Sequence, residues 1–254
     1  MKRSLLSLCL MVQVLSFLFV LGLSLDAQRS TKPKAGKQTT KPANKKPDTA
    51  SITGSLKNGS NDDGRPVRGT IFGVKTTGRS DNGKVHIVYV LDVSGSMRRL
   101  NREGVSRISK VQEALKQALS ELKKTDTFNV VLFAGTPEIF SSNMLPATQE
   151  NILKAVNYVD NVELRDGTNF SSAMEAALST EGKITHVFLL SDGEPMSGIR
   201  DPAQLRAFIT KQNTQKAAII TLALGFGEDF PGIPLLKSIA EDNHGKFSYV
   251  NLVK

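Results

Sequence analysis

Residues 86–93, HIVYVLDV, constrain the fold more than any other part of the sequence. The run is almost continuously apolar and rich in β-branched side chains, which is typical of a strand covered on both faces of its sheet. Residues 127–134, TFNVVLFA, repeat the pattern. Because such strands need helices on both sides of the sheet to cover them, the two runs predict a layered α/β domain.

Amphipathic segments separate the apolar runs. Ile108, Val111, Leu115 and Leu119 recur at helical spacing, which predicts a helix over residues 107–124. The same reasoning predicts helices at residues 149–158, 170–178, 202–210 and 234–241, and strands at residues 67–75, 185–190, 217–224 and 247–250. Strands that alternate with helices need right-handed crossovers, so we expect a doubly wound α/β fold with a mostly parallel central sheet and helices on both faces.

The formal net charge of +9 is unevenly distributed along the chain. Residues 1–84 contain 15 Lys and Arg against 5 Asp and Glu, whereas residues 85–254 contain 18 against 19. The part of the chain that can fold is therefore close to neutral. A basic recognition face for nucleic acid is not expected on it.

The first 27 residues have the pattern of an export signal. Lys2 and Arg3 precede an apolar segment at residues 4–25. This segment is long for a cleaved signal and reaches the length of a membrane span, so residues 1–27 fit both a signal peptide and a retained membrane signal-anchor. We expect the domain to lie outside the cytoplasm, in the periplasm or cell envelope or in the extracellular space. Cys9, the only cysteine, lies in this segment, so no disulfide is expected in the exported domain.

Residues 28–64 are rich in Lys, Pro, Thr, Ser, Gly and Asn and contain few large apolar residues. Such a segment cannot bury enough surface to offset the entropy cost of ordering, so we expect a disordered linker. Its seven cations between Arg29 and Lys46 fit either a solvated spacer or a contact with an anionic envelope surface. The folded domain is expected over residues 65–254.

Oxygen-bearing side chains lie at the ends of two predicted strands and in one loop between those strands. Asp92, Ser94 and Ser96 come at the end of the first buried strand, and Asp192 lies in the S-D-G that ends a later strand. Thr168 lies in a D-G-T-N turn at the start of a predicted helix. Because ligands of doubly wound sheets bind outside the carboxyl ends of the strands, we expect these three loops to converge on one point.

The candidate ligands are all oxygen donors, and no His or Cys stands among them. They predict a hard cation, Mg²⁺ first, with Mn²⁺ and Ca²⁺ as alternatives. The carboxylates of Asp92 and Asp192 only balance a divalent charge, and neutral hydroxyls fill much of the remaining coordination shell. The ion would therefore keep room for an outside anion, for which an Asp or Glu of a partner protein is the expected ligand.

In this order, the motifs resemble a von Willebrand factor type A domain with its metal-ion-dependent adhesion site. The resemblance covers roughly residues 69–250. Asp92, Ser94 and Ser96 match the first motif of the family, Thr168 its second-loop threonine and Asp192 its third-loop aspartate. The D-x-S-G-S-M version of the first motif is most similar to bacterial exported members.

The resemblance implies that these residues contact the metal in different ways. Ser94, Ser96 and Thr168 would coordinate the metal directly, whereas Asp92 and Asp192 would act partly through water. It also implies one short antiparallel edge strand, which we assign to residues 139–140. The implied function is metal-dependent binding of a protein partner; the alternative is a structural or scaffold subunit of an envelope complex, in which the metal mainly stabilises the fold.

Charged residues flank the candidate site in sequence. Arg98, Arg99, Arg102 and Arg107 follow Ser96 and would form either a positive rim that selects an acidic partner or a set of solvated charges. Glu194 and Met196, two and four residues after Asp192, would also face the partner.

An enzyme is not expected. No His or Lys follows the other strands to activate Ser94 or Ser96 as a nucleophile, so a hydrolase is the less favoured reading. No phosphate-binding glycine motif for a nucleotide occurs in the sequence.

Overall fold

A computed structural model describes residues 68–74, 80–225 and 231–252. The predicted export segment at residues 1–27 and the predicted linker at residues 28–64 lie outside these described residues. Within the described residues, no helix has both the length and the apolar character needed to cross a membrane.

The described part of the chain is built on one seven-stranded sheet. Its strands are β1 (His86–Asp92), β2 (Thr127–Phe133), β3 (Pro137–Ile139), β4 (Leu145–Pro146), β5 (His186–Ser191), β6 (Ala218–Gly225) and β7 (Phe247–Asn251). The order is β3-β2-β1-β5-β6-β7, and the short strand β4 also pairs with β2. All pairs are parallel except those of β3 and β4 with β2. The doubly wound, mostly parallel sheet that the sequence predicts is confirmed.

Among the described residues, five α-helices connect the strands: α1 (Arg107–Ser120), α2 (Gln149–Asp160), α3 (Phe170–Leu178), α4 (Pro202–Gln212) and α5 (Ile233–Asp242). Four of them begin with a polar side chain that accepts a hydrogen bond from a backbone N–H three residues later. These capping residues are Ser106, Thr148, Asn169 and Asp201. Each cap satisfies one of the N–H groups that a helix leaves unpaired at its start, so the sequence fixes where these helices begin.

The core lies on both faces of the sheet. In β1, Ile87, Tyr89 and Leu91 pack into one apolar cluster, whereas Val88 and Val90 pack into the other. Successive side chains of a strand point to opposite faces, so a strand covered on both sides is apolar at every position. This explains why residues 86–91 show no alternation of polar and apolar residues.

The strand predicted at residues 67–75 is wrong. Within the described residues 68–74, the backbone makes a tight turn in which Val74 N donates to Ile71 O at 3.1 Å. Phe72 and Gly73 have φ of 51° and 68°, in the left-handed region that a strand does not use. The apolar pattern there reflects burial of Ile71 against the core.

Candidate functional residues meet at the switch point of the sheet. The chain runs from β1 to β2 on one side of the sheet and then crosses to β5, which is the other neighbour of β1. The carboxyl ends of β1 and β5 therefore lie side by side, and the loops that follow them diverge to opposite sides. A crevice at this point is the usual ligand site of doubly wound sheets.

Candidate metal centre

Asp92, the last residue of β1, has a fully buried carboxylate. The backbone N–H of Ser94 donates to Asp92 Oδ1 at 2.8 Å, and the hydroxyl of Ser191 donates to Asp92 Oδ2 at 2.5 Å. Both donors are neutral. Within the described residues, no Lys or Arg side chain forms an ion pair with Asp92.

A row of oxygens leads from this carboxylate toward solvent. A short 3₁₀ helix at Gly95–Arg98 turns the chain just after Ser94. Ser94 Oγ and Ser96 Oγ share a hydrogen bond at 2.9 Å, and Ser96 Oγ donates to Asp192 Oδ1 at 2.7 Å. Ser94 and Asp192 are buried, whereas Ser96 is exposed. Four of the five predicted ligands are thus joined by hydrogen bonds, and the site opens to solvent at Ser96.

The first loop of the site follows β1, the second joins α2 to α3, and the third follows β5. Thr168, the fifth predicted ligand, lies on the second loop. It is buried, and it is not a member of that row of hydrogen bonds. Its backbone carbonyl accepts from Met196 N at 2.8 Å and from Ser197 N at 3.2 Å, which ties the second loop to the loop that follows β5. Arg165 N donates to Val93 O at 2.9 Å and ties the second loop to the first. The three loops therefore converge as the sequence predicts.

Gly167 allows the second loop to approach the turn between β2 and β3. It has a φ of 88°, and a Cβ at this position would lie 2.9 Å from the Cα of Gly135. Only glycine combines this conformation with such close contact. The turn of which Gly167 is part sets the position of Thr168.

Burial dominates the electrostatics of Asp92 in the metal-free protein. It raises the pKa of this carboxyl to about 6, because an ionised carboxylate loses its hydration there. Hydrogen bonds from Ser191 and Ser94 lower the pKa, and the nearby charge of Asp192 raises it further. The ionised form of Asp92 thus lacks a compensating cation among the described residues.

The oxygens present fit a hard divalent ion. Octahedral Mg²⁺ holds its ligands at about 2.0–2.1 Å, which places neighbouring oxygens roughly 2.9 Å apart. The separations of 2.9 Å between Ser94 Oγ and Ser96 Oγ and 2.7 Å between Ser96 Oγ and Asp192 Oδ1 match that edge length. Within the described part of the chain, no three His, Cys, Asp or Glu side chains form a group that could hold a metal. A site there would therefore depend on hydroxyls, as the sequence predicts.

The residues of the predicted rim differ in their exposure. Arg98, Arg99, Arg102 and Glu194 are exposed on the loops around the site. Arg107 is not a solvated rim residue: it is buried at the start of α1 and forms an ion pair with Asp192. The reason is that α1 begins directly beneath the loop after β5, so its first residue faces inward.

Further features of the site were not predicted from the sequence. Ser191 donates to Asp92, and its only local signal is a polar residue at the end of the apolar run HVFLL. Leu100, which was not predicted either, is 58% exposed on the loop after β1. Met196, which the sequence predicts to face the partner, is 65% exposed on the loop after β5, so both residues add apolar surface beside the charged residues of the rim.

Comparisons with known proteins agree with this fold. Residues 87–194 match the family model of the von Willebrand factor type A domain. The inter-alpha-trypsin inhibitor heavy chain 4 of Mus musculus is 28% identical over 171 residues, covering 63% of this chain and 17% of that relative. The heavy chain H2 of Homo sapiens is 26% identical over a similar stretch. This chain thus spans less than a fifth of the length of these curated relatives.

Solved structures show the same architecture. A von Willebrand factor type A protein from Catenulispora acidiphila superposes with a TM-score of 0.56 at 20% identity, covering 66% of this chain and 39% of that one. The conserved hypothetical protein BatB from Bacteroides thetaiotaomicron gives a TM-score of 0.52 at 16% identity, covering 66% and 90%. The curated relatives above are mammalian, so the narrower resemblance to bacterial exported members stays a prediction. The family match covers residues 87–194 and the observed sheet agrees with it, so this part of the chain is similar to a von Willebrand factor type A domain.

Proposed function

We propose that this domain is a metal-dependent protein-binding module that acts outside the cytoplasm. Asp92, Ser94, Ser96, Thr168 and Asp192 would hold a Mg²⁺ ion, and the ion would bind an acidic residue of a partner protein. The observation that carries the proposal is the carboxylate of Asp92, which is fully buried, has only neutral hydrogen-bond donors and stands at the inner end of a row of oxygens.

A cation at this point removes an energetic penalty. A buried carboxylate without a charged partner is costly, and a divalent ion restores the interactions that water no longer supplies. When bound, such an ion would supply an electrophilic centre for a carboxylate of the partner. The serine and threonine hydroxyls are neutral, so they position the ion without cancelling its charge.

The surroundings of the opening suit a protein ligand. Ser96 is exposed, so a group from outside can reach the row of oxygens. Arg98, Arg99 and Arg102 would attract an acidic partner, and the exposed Leu100 and Met196 would contribute apolar contact. We infer a partner that presents an Asp or Glu beside apolar residues.

An enzymatic role has little support at this site. His86 and His186 begin β1 and β5, at the amino edge of the sheet, opposite the candidate metal centre. His244 lies in the turn that leads to the amino end of β7. No histidine is thus available to activate Ser94 or Ser96, and we propose that the domain binds and does not catalyse.

Capture of partners from a cell-envelope extract tests this function. The full chain is immobilised and washed in Mg²⁺ or in EDTA, and circular dichroism is recorded in both buffers. We expect proteins that are retained in Mg²⁺ and released in EDTA while the domain stays folded. Asp92→Ala serves as a second control and should retain none of them. Unfolding of the domain in EDTA would instead indicate that the metal mainly stabilises the fold, as in a scaffold subunit.

A further inference from the structure

Arg107 joins the first and third loops of the candidate metal centre from below. It is the first residue of α1 and is 5% exposed. Its Nη1 forms an ion pair with Asp192 Oδ2 and lies 3.4 Å from the backbone carbonyl of Ser96. Its backbone N–H donates to Arg99 O at 3.1 Å. The guanidinium is therefore fixed inside the domain.

The two oxygens of Asp192 face different groups. Oδ2 faces Arg107, whereas Oδ1 accepts from Ser96 Oγ at 2.7 Å. The ion pair with Arg107 thus holds the carboxylate with one oxygen directed at the row formed by Ser94 and Ser96. An ion in that row and the guanidinium can share Asp192 without displacing each other.

Because of this pairing, only one of the two carboxylates of the site has its negative charge compensated by a basic side chain. Arg107 compensates Asp192, whereas Asp92 has no basic partner among the described residues. Toward an incoming cation the centre therefore carries about one net negative charge instead of two. With a divalent ion in place, the same groups leave one net positive charge.

We propose that Arg107 is a built-in counter-ion that weakens binding of the metal and strengthens binding of the acidic ligand to the metal-loaded centre. The inference rests on the proposed function, because it requires a divalent ion at this site. The physical reason is that a fixed positive charge a few ångströms away repels the cation and attracts the anion. Burial keeps solvent from screening that charge.

Substitution of Arg107 tests the proposal through two opposite changes. Mn²⁺ binding to the full chain is measured by electron paramagnetic resonance. Acetate, as the carboxylate probe, is then titrated into the Mn²⁺-loaded protein, and displacement of metal-bound water is followed by water-proton relaxation. For Arg107→Gln we expect Mn²⁺ to bind about tenfold more tightly and acetate several-fold more weakly. Arg107→Lys keeps the charge and should stay within about threefold of wild type for both.

Arg68→Gln is the matched control. Arg68 is also buried and paired with an aspartate, Asp126, which lies just before β2 at the amino edge of the sheet. Its loss should change neither affinity. Arg107→Met, which keeps the aliphatic stem, replaces Arg107→Gln if the latter does not fold by circular dichroism.

Each outcome of this experiment is decisive. If Arg107→Gln weakens both Mn²⁺ and acetate binding, Arg107 has a merely structural role and the inference is wrong. If Arg107→Gln binds both Mn²⁺ and acetate with wild-type affinity, the inference is also wrong. In either case the proposed function stands as long as the wild-type chain binds Mn²⁺. If the wild-type chain binds no divalent ion, the proposed function itself fails.

Discussion

Asp92 shows how burial and hydrogen bonding decide the chemistry of a single side chain. Its carboxylate has lost all contact with solvent, and two neutral donors replace only part of the lost hydration. Burial therefore raises its pKa to about 6 in the metal-free protein. The sequence indicates that Asp92 belongs to a site, because D-x-S-x-S follows a buried strand. The extent of its burial depends on residues far along the chain, which sequence periodicity does not reveal.

Because the pKa of Asp92 is raised, the stability of the metal-free domain and the stabilisation by Mg²⁺ are expected to change in opposite directions with pH. The folded-state pKa is above the unfolded value of 3.8, so the folded state binds more protons between pH 4 and 6. In EDTA this carboxyl therefore costs roughly 3 kcal/mol of stability above pH 6, and lowering the pH toward 4 removes most of that cost. Bound Mg²⁺ requires the ionised form, so the rise in melting temperature that Mg²⁺ produces should shrink below pH 6.

Thermal melts in Mg²⁺ and in EDTA, from pH 4.5 to 7.5, measure this difference. Asp92→Asn is the control, because an amide does not titrate, and it should remove the pH dependence of the Mg²⁺ effect. A Mg²⁺-induced rise that is equal at pH 5 and pH 7.5 in the wild-type chain would contradict the assignment.

Gly167 is expected to be essential for the second loop. Gly167→Ala places a Cβ 2.9 Å from Gly135 Cα in a left-handed conformation, so we expect a loss of about 1–3 kcal/mol in the free energy of unfolding. The Mg²⁺-induced rise in melting temperature should also fall, because Thr168 moves. Gly193→Ala is the control, since a Cβ there would meet nothing within 4 Å. Equal stabilities of the two variants in denaturant melts would show that the loop does not need this turn.

At the scale of elements, one buried ion pair connects three segments of the chain. Arg68 donates from Nε and Nη2 to the two oxygens of Asp126, each at 2.9 Å. Asp126 also accepts from the backbone N–H of Val85 and of Lys123. Burial alone would raise the pKa of Asp126, but these hydrogen bonds lower it below the usual value. The pair fixes the segment around Arg68 against the loops that precede β1 and β2.

Asp126→Asn is therefore expected to destabilise the domain strongly. It leaves the charge of Arg68 buried without its partner, which costs about 3–5 kcal/mol. The melting temperature should fall by roughly 10 °C, whereas the Mg²⁺-induced rise should persist because the candidate metal centre is at the other edge of the sheet. Asp242→Asn is the control: Asp242 pairs with Arg206 at the surface, and such exposed pairs contribute little to stability. A loss in Asp126→Asn no larger than in the control would contradict the role given to the pair.

Most elements could be predicted from the sequence because their signals are local. The helix predicted at residues 170–178 is confirmed with the same bounds, and the predicted antiparallel edge strand is observed as β3 at Pro137–Ile139. The two-residue strand β4 was not predicted, because two residues show no periodicity. The pairs of Arg68 with Asp126 and of Arg107 with Asp192 were also missed, since their partners lie 58 and 85 residues apart.

At the scale of the whole molecule, charge and function are separated along the chain. The excess of positive charge lies in residues 1–84, whereas residues 85–254 are nearly neutral and contain all five candidate ligands. The candidate metal centre occupies the carboxyl edge of the sheet, and the histidines stand at the amino edge. The described histidines thus lie at the opposite edge of the sheet from the candidate metal centre.

Calorimetric titration of Mg²⁺ into the chelator-treated full chain tests most directly whether Asp92, Ser94, Ser96, Thr168 and Asp192 share one cation. The wild-type chain should bind one ion per molecule, and Asp92→Ala should bind none while keeping its circular dichroism spectrum. Absence of binding to the wild-type chain, or equal binding to both proteins, would contradict the assignment.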